Sequence, residues 1–549
     1  MTAFRYKLVS SMCKVFPKEQ PDGELENPRL MGLRGETLSF QIAYVWDGDS
    51  REWGNIAVSG TLQTQVRIRA VALVPCAYPC HKRTDSGYLA DQPGLYPDLL
   101  QELSSSRFPL VSGQWRSLWV TVELEKEQAA GSYPLVFTFT VCGKMYETVV
   151  ACEVLDAVLP KPSICHTEWF HTDCLADYYQ AEVFSKRYWE IVEEFVRFAV
   201  KHQCNMLLTP VFTPPLDTAV GDERMTVQLV DVLSGGDVYH FGFEKLRRWV
   251  EMAERCGIQY FEISHLFTQW GAKAAPKIMA MREGSYVQIF GWDTDASGAA
   301  YRAFLHQFLA ALKTELAKLG VLERTYFHIS DEPQMEHLES YRSAWEGVKA
   351  DLEGCQVIDA LSDYDFYRQG LVQIPVCALD HIEPFLKNRP KRLWGYYCTA
   401  QWKDVSNRFM ALPGCRTRIL GVQMYKYQIE GFLHWGYNFY FSQFSRYPVD
   451  PYRCTDADGA FPSGDPFLVY PGRDGKPEGS VRLMLMAEAM MDFAALELLG
   501  HLIGRKKVVD MIDEEMELTF TDYPRDEAYL LRLRGKVNGA IQKAVRHGA

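Results

Sequence analysis

The sequence predicts a multidomain protein: an N-terminal antiparallel β-sandwich over residues 1–160, a (β/α)8 TIM barrel over 161–504 and a helical C-terminal extension over 505–549, packed on the barrel. Three observations carry this expectation. A chain of 549 residues is too long for one ordinary domain. Its first 160 residues alternate apolar and polar positions with a period of two. Beyond them, eight short apolar runs alternate with amphipathic stretches.

The sandwich rests on runs such as "ETLSFQIAYVW", "QVRIRAVALV" and "SLWVTVELE". In the last, Leu118, Val120, Val122 and Leu124 alternate with Trp119, Thr121, Glu123 and Glu125, the signature of a strand with one buried face. Phe137, Phe139 and Val141 repeat the pattern, and "CGK" turns the chain into "MYETVVACEV". "DAVLPKPS" at 156–163, with two prolines, reads as the linker to the barrel. Barrel strands are predicted at 164–170, 205–212, 258–266, 325–331, 357–363, 374–379, 392–398 and 431–440. Amphipathic helices are predicted between them, with irregular links after the sixth and seventh strands, and further helices at 416–428 and 480–500.

Bulk properties exclude several functions. The formal charge of −12, without a long basic run, disfavours nucleic acid and anionic membranes as partners. The start, "MTAFRYKLVSSMCKVFPKEQ", lacks an apolar leader segment, and no run is long and apolar enough to span a membrane. The fourteen cysteines are scattered, so free thiols and a cytoplasmic setting are expected. Cys76, Cys80 and His81, and Cys165, His166, His171 and Cys174, lie close in sequence. Neither group is echoed by a second ligand pair at zinc spacing, so no metal site and no organic cofactor are expected. The oligomeric state is left open, a homodimer included.

The stretch "TYFHISDEPQ", 325–334, sets Asp331 and Glu332 side by side at the end of the fourth predicted strand, on the face where barrel enzymes place their chemistry. Asp-Glu-Pro also begins ordinary solvated turns. Parity aims His328, Ser330 and Glu332 into the barrel, with Phe327, Ile329 and Asp331 on the opposite face. Pro333 is expected to hold Glu332 extended. Glu332 is therefore the candidate acid, and Asp331 reaches the same pocket only if the chain bends. Other strand ends bring Glu168 and Trp169, His265 and Trp270, Asp363 and Tyr364, Trp394 with Tyr396 and Tyr397, and Trp435 with Tyr437 and Asn438. Aromatic faces mixed with hydrogen-bonding groups suit a sugar. Adjacent carboxylates do not straddle a glycosidic bond well, but they suit substrate assistance, where the sugar's 2-acetamido group is the nucleophile.

"HISDEP", "YFEISHLFTQWGAKAAPKI", "RTRILGVQMYKYQIEGFLHWGYNFY" and "DPFLVYPGRDGKP" with the helix after it resemble glycoside hydrolase family 123 and relatives whose C-terminal region is catalogued as a domain of unknown function. The resemblance covers the barrel, and the sandwich in outline. It implies a β-N-acetylgalactosaminidase-like enzyme acting on an N-acetylhexosamine-containing glycan. Asp331 would polarise the acetamide and Glu332 would be the acid/base. By the same resemblance Tyr396 or Tyr397 would contact the acetamide carbonyl, while His265, Trp394, Trp435 and Asn438 are the choices for the sugar pocket's walls. Characterised relatives are often exported, whereas this sequence shows no leader. Two alternatives stand beside this reading: a two-carboxylate glycosidase pairing Glu332 with Glu168 or Asp363, and a non-catalytic carbohydrate-binding barrel.

Overall fold

The computed structural model describes residues 4–25 and 28–546. The alternating N-terminal segments form two five-stranded sheets. One orders Phe4–Ser10, Thr37–Trp46, Trp115–Glu123, Val66–Cys76 and Gly94–Glu102. The other orders Arg29–Arg34, Lys144–Val158, Gly131–Val141, Glu52–Ser59 and Arg107–Leu110. Leu118, Val120, Val122 and Leu124 share one core with Phe137, Phe139 and Val141, and the Phe40 and Phe137 rings meet at 5.7 Å across it. The predicted faces are therefore the ones that bury apolar area.

Two details depart from expectation. Arg29–Arg34 runs parallel to Lys144–Val158, so the region is not wholly antiparallel. Gly35, at φ +80°, turns the chain from Arg29–Arg34 in one sheet directly into Thr37–Trp46 in the other. Consecutive strands in different sheets cannot pair with each other, and the first takes a free edge instead. The strand Trp115–Glu123 is also buried on both faces. Trp119 joins the core that continues into the barrel helices, and its indole N–H donates to Thr121 Oγ1 at 3.1 Å.

Eight parallel strands close into a barrel. Numbered in chain order from the first barrel strand, they are β1 (Cys165–Glu168), β2 (Met206–Thr209), β3 (Tyr260–Ile263), β4 (Thr325–Phe327), β5 (Gln356–Leu361), β6 (Ile374–Ala378), β7 (Trp394–Tyr396) and β8 (Gly431–His434). The β8–β1 pairing, Cys165 against Gly431 through Glu168 against His434, shuts it. Each strand lies within a predicted segment or within one residue of it. The helices are α1 (Thr172–Tyr178), α2 (Lys186–Lys201), α3 (Glu244–Cys256), α4 (Ala299–Lys318), α5 (Leu338–Val348), α6 (Tyr364–Arg368), α7 (Glu383–Lys387), α8 (Gly414–Arg418), α9 (Leu420–Lys426), α10 (Val481–Ile503), α11 (Arg505–Ile512) and α12 (Glu527–Arg546). Three helices are only five residues long: α7 after β6 and α8 after β7, where irregular links were expected, and α6 after β5, where one was not. Hairpins Asp231–Gly242 and Ile278–Phe290, which the sequence did not announce, join as a four-stranded side sheet above β2 and β3.

Buried ion pairs tie the N-terminal sheets to α10. Arg482 donates from Nε and Nη2 to the two carboxylate oxygens of Asp98, both at 2.8 Å. Tyr470 adds its hydroxyl to Asp98 at 2.6 Å. The C-terminal helix α12 does not pack on the barrel alone, as expected from sequence. Arg534 bridges Asp492 of α10 and Glu36, each at 2.7 Å, and Asn538 Nδ2 donates to Met31 O at 2.9 Å. No helix among the described residues is long and apolar enough to cross a membrane.

Two apolar clusters divide the barrel. Phe327 and Ile329 belong to the layer under the helices. Tyr326, Ile358, Trp394 and Tyr396 fill the interior. Trp394, the first residue of β7, stands opposite Gly431, where an added Cβ would lie 2.0 Å from the indole. Glycine there makes room for the ring. Gly431→Ala should lower unfolding stability by about 1–3 kcal/mol through overpacking, read as a reduced urea midpoint with unchanged slope.

Candidate active site

The ladder of β4 ends at Phe327, and the chain then leans on the loop after β3: Leu266, Phe267 and Trp270 donate backbone N–H groups to His328, Ile329 and Asp331 at 3.1, 3.0 and 3.0 Å. Glu332 is not extended, as Pro333 was expected to make it; its φ is +44°. Its N–H donates to Ala360 O at 3.2 Å, which anchors the bend to β5. This left-handed kink on a non-glycine residue before proline costs about 1–3 kcal/mol. Its effect is positional. Parity set Asp331 and Glu332 on opposite faces, and the bend brings both carboxyls to one cavity of about 290 Å³ at the C-terminal ends of the strands.

Glu332 Oε1 accepts a hydrogen bond from the Tyr396 hydroxyl at 2.7 Å and a weaker one from Cys398 Sγ at 3.8 Å. Burial raises the Glu332 pKa against the pull of these two donors. Asp331 is raised well above the usual carboxyl range, first by burial and then by the charge of Glu332, with His328 acting the other way. The pair therefore retains a proton to higher pH than either carboxyl would alone.

Beneath the pair, His328 Nε2 lies 2.5 Å from Glu262 Oε1, and Nδ1 lies 3.2 Å from Asp359 Oδ1. Glu262 also receives Thr167 and Trp169, at 2.6 and 2.7 Å, and Tyr341 donates to Asp359. Burial alone would lower the His328 pKa; Asp359 and Glu262 overcome it and raise it to about 9. His265 stacks on His328 at 4.3 Å. Burial, then the charge of His328, keeps His265 well below its usual range and neutral.

Of the residues singled out from sequence, Asp331, Glu332, Tyr396 and Trp435 line the cavity. His265, Trp394, Tyr397 and Asn438 do not. His265 is buried among Trp169 and His328, and Trp394 plugs the barrel interior below Tyr396. Tyr397, of opposite parity, points out to Met486 of α10 at 3.1 Å. Asn438 pins the loop after β8 to the backbone of His171, accepting at 2.9 Å and donating at 3.0 Å. Glu168 is locked by Arg408 Nη1, at 2.8 and 2.6 Å to its two oxygens, and Asp363 caps α6; neither lines the cavity. The clustered His and Cys residues around 165–174 also disperse. His166 meets Glu168 and Gln203, His171 meets Trp435 O and Arg224, and Cys174 accepts from Tyr440 N.

Trp169 and Trp270, two of the strand-end aromatics, complete the walls. Sequence reasoning missed Asp217, Gln269, Gln443, Phe444 and Phe461, which arrive on loops. Asp217 Oδ2 accepts from Phe444 N at 2.9 Å, and burial raises its pKa to about 6. Trp435 donates to Asp465 at 2.9 Å, a carboxyl that burial raises to about 7. Four cavity residues, Asp217, Trp270, Glu332 and Phe444, share positive φ values of 40°, 57°, 44° and 61°. Strain gathered in this way is a mark of functional sites.

A family model described as "Glycoside hydrolase 123, catalytic domain" matches residues 169–499. The chain belongs to glycoside hydrolase family 123. Its fold is similar to that of a family 123 glycoside hydrolase from Clostridium perfringens, described with the details of glycolipid glycan hydrolysis. The TM-score is 0.77 at 14% identity, over 99% of each chain. Likeness to the β-glucuronidases of Parabacteroides merdae (10% identity, TM-score 0.30, 87% of this chain and 51% of that one) and Bacteroides uniformis (10%, 0.30, 86% and 48%) is too loose to bear on the site. No curated protein sequence matches. A glycan is thus the substrate class of this family 123 glycosidase.

The charged His328 has a consequence for pH. Its folded pKa of about 9 lies above the unfolded value near 6.5. The stability it contributes is complete below about pH 6.5 and is lost as pH rises toward about 9. In urea unfolding between these values the wild type should lose on the order of 3 kcal/mol from this group, and His328→Gln should flatten that part of the slope.

Proposed function

We propose that this family 123 enzyme releases a terminal N-acetylhexosamine, with N-acetylgalactosamine as the sugar, by substrate-assisted retaining catalysis. One observation carries the reading. Two sequence-adjacent carboxyls, both raised in pKa, enter one small aromatic-walled cavity from a single strained turn. Glu332, holding its proton, donates it to the glycosidic oxygen as the bond to C1 breaks. The acetamide carbonyl oxygen bonds to C1 and gives an oxazolinium-like intermediate. Asp331 accepts the acetamide N–H, and its charge offsets the positive charge on the ring. Glu332, now ionised, takes a proton from water as the water attacks C1 and the bond from C1 to the acetamide oxygen breaks, which restores the acetamide and retains configuration. Tyr396, already at the Glu332 carboxylate, is placed to give its hydroxyl to the acetamide carbonyl. Trp169, Trp270 and Trp435 offer faces for the sugar's C–H groups.

A second reading rests on Asp217, a further carboxyl lining the same cavity. It would make a two-carboxylate glycosidase with Glu332, a role that the positions of Glu168 and Asp363 do not suit. Aryl α- and β-glycosides of N-acetylgalactosamine, N-acetylglucosamine and galactose separate the two. Substrate assistance requires turnover of a 2-acetamido β-glycoside and none of galactosides. Glu332→Gln should lower kcat by about 10²–10⁴, and Asp331→Asn by about 10²–10³, both with the fold intact by circular dichroism. Azide should fail to rescue Asp331→Ala, which lacks no nucleophile. Normal activity in Glu332→Gln, or loss in Asp217→Asn accompanied by azide rescue of Asp217→Ala, would sink the substrate-assisted reading.

A further inference from the structure

Asp217 stands where three loops of the cavity rim meet. Its N–H donates to Gln269 Oε1, in the loop after β3. Its carbonyl accepts from Ser445 Oγ at 2.7 Å and its Oδ2 from Phe444 N at 2.9 Å, both in the loop after β8. These bonds hold the rim with the backbone and one carboxylate oxygen. The other, Oδ1, has no partner among the described residues. Gln269 is placed in a matching way. The Asp217 N–H fixes the amide with its oxygen toward Asp217, so the two N–H groups of Nε2 turn away, and they too find no acceptor among the described residues. Neither Asp217 Oδ1 nor Gln269 Nε2 is sealed in the core, and both residues line the cavity that holds Asp331 and Glu332.

A free acceptor beside a free donor restricts what fits against them. An ammonium group would bring only donors to Gln269. A carboxylate or phosphate would bring only acceptors to Asp217, in a cavity already lined by three carboxyls, Asp217, Asp331 and Glu332. A hydroxyl both donates and accepts, so a single hydroxyl satisfies the pair. Position narrows the choice. β3 lies four strands from β7 around the eight-stranded ring, so the pair faces Tyr396 across the mouth. In the substrate-assisted pose, on which this inference rests, Tyr396 meets the acetamide on C2 and Glu332 meets the oxygen on C1. The ring atoms across from these are C5, which carries the C6 hydroxyl, and C4.

We propose that Asp217 and Gln269 are specificity residues of this glycosidase, binding the sugar hydroxyl at C4 or C6. Asp217 Oδ1 accepts from that hydroxyl and Gln269 Nε2 donates to it. Asp217 therefore binds the sugar without entering the bond-breaking step, and a sugar lacking the hydroxyl leaves both groups unpaired.

Calorimetric titration of the wild type with N-acetylgalactosamine and its 4-deoxy and 6-deoxy analogues tests this without turnover. At least one analogue should bind about tenfold or more weaker than the parent sugar. Asp217→Asn keeps an oxygen for the Phe444 N–H and removes the acceptor at Oδ1. It should keep the wild-type melting temperature and weaken the parent sugar by a similar factor. The analogue whose affinity it leaves unchanged identifies the hydroxyl. On an aryl N-acetylgalactosaminide the variant should raise KM, and azide should restore nothing to Asp217→Ala. Equal binding of all three sugars, binding of none, an equal loss for every sugar in Asp217→Asn, or azide rescue overturns the proposal. Of these results only azide rescue also counts against substrate assistance, which Glu332→Gln and Asp331→Asn test by turnover.

Discussion

Two carboxyls on neighbouring residues that share one cavity cannot both carry charge cheaply, and much of this structure answers that constraint. Burial drives both pKa values up, and the charge of Glu332 adds to the rise at Asp331. The protein tempers the rise without abolishing it. Tyr396 and Cys398 donate to Glu332, and the charged His328 lies under Asp331. That cation is itself held in the apolar barrel by Glu262 and Asp359, which are in turn fixed by Thr167, Trp169 and Tyr341. Hydrogen bonds from three strands and one helix thus fix the cation that lies beneath the pair. Adjacency also needs the kink at Glu332, because an extended strand would send the two side chains to opposite faces. Strain in the backbone and cost in electrostatics are therefore concentrated at a single turn.

The barrel was legible because its signal is local. Eight short apolar runs separated by amphipathic segments leave few other architectures, and each run holds or adjoins one strand. The parity of β4 was legible too: Tyr326 faces inward, and Phe327 and Ile329 face the helices. Depth was not legible. Trp394 and Tyr396 share a face of β7, yet one plugs the barrel interior and the other touches Glu332, a difference of two residues along one strand. A period of two reports the face of a side chain and says nothing about its height above the barrel floor. His265 fails for a related reason, being covered by Trp169 and stacked on His328.

What the sequence hid is non-local. Asp217 and Phe444 are far apart in the chain and meet through a hydrogen bond from the Phe444 N–H to the Asp217 carboxylate. No pattern around either residue announces the partner. The bend at Glu332 ran against the local rule, since a residue before proline prefers an extended backbone. It is imposed by the Ala360 carbonyl and the loop after β3. Local propensity failing at the site itself is what a site built on strain should produce. The parallel edge of the N-terminal sheet arises in the same way, from a turn that sends the chain between sheets and not from any property of Arg29–Arg34.

The N-terminal sheets and the C-terminal helices have a role that follows from this arrangement. A strained turn holds only if the framework around it cannot relax. Here the framework is tied through buried arginines: Arg482 to Asp98, Arg418 to Glu488 and Asp492, and Arg408 to Glu168. Such pairs add little net stability over apolar packing, but breaking one of them leaves an uncompensated charge in the core. They therefore penalise displacement more than they favour folding. Arg408 shows the coupling most directly, because it reaches Glu168 of β1, His434 of β8 and the Gly436 carbonyl together. It locks the seam where the barrel closes, next to Trp435 on the cavity wall. The side chain that sequence reasoning could have taken for a second catalytic carboxylate, Glu168, is better understood as the anchor of that lock.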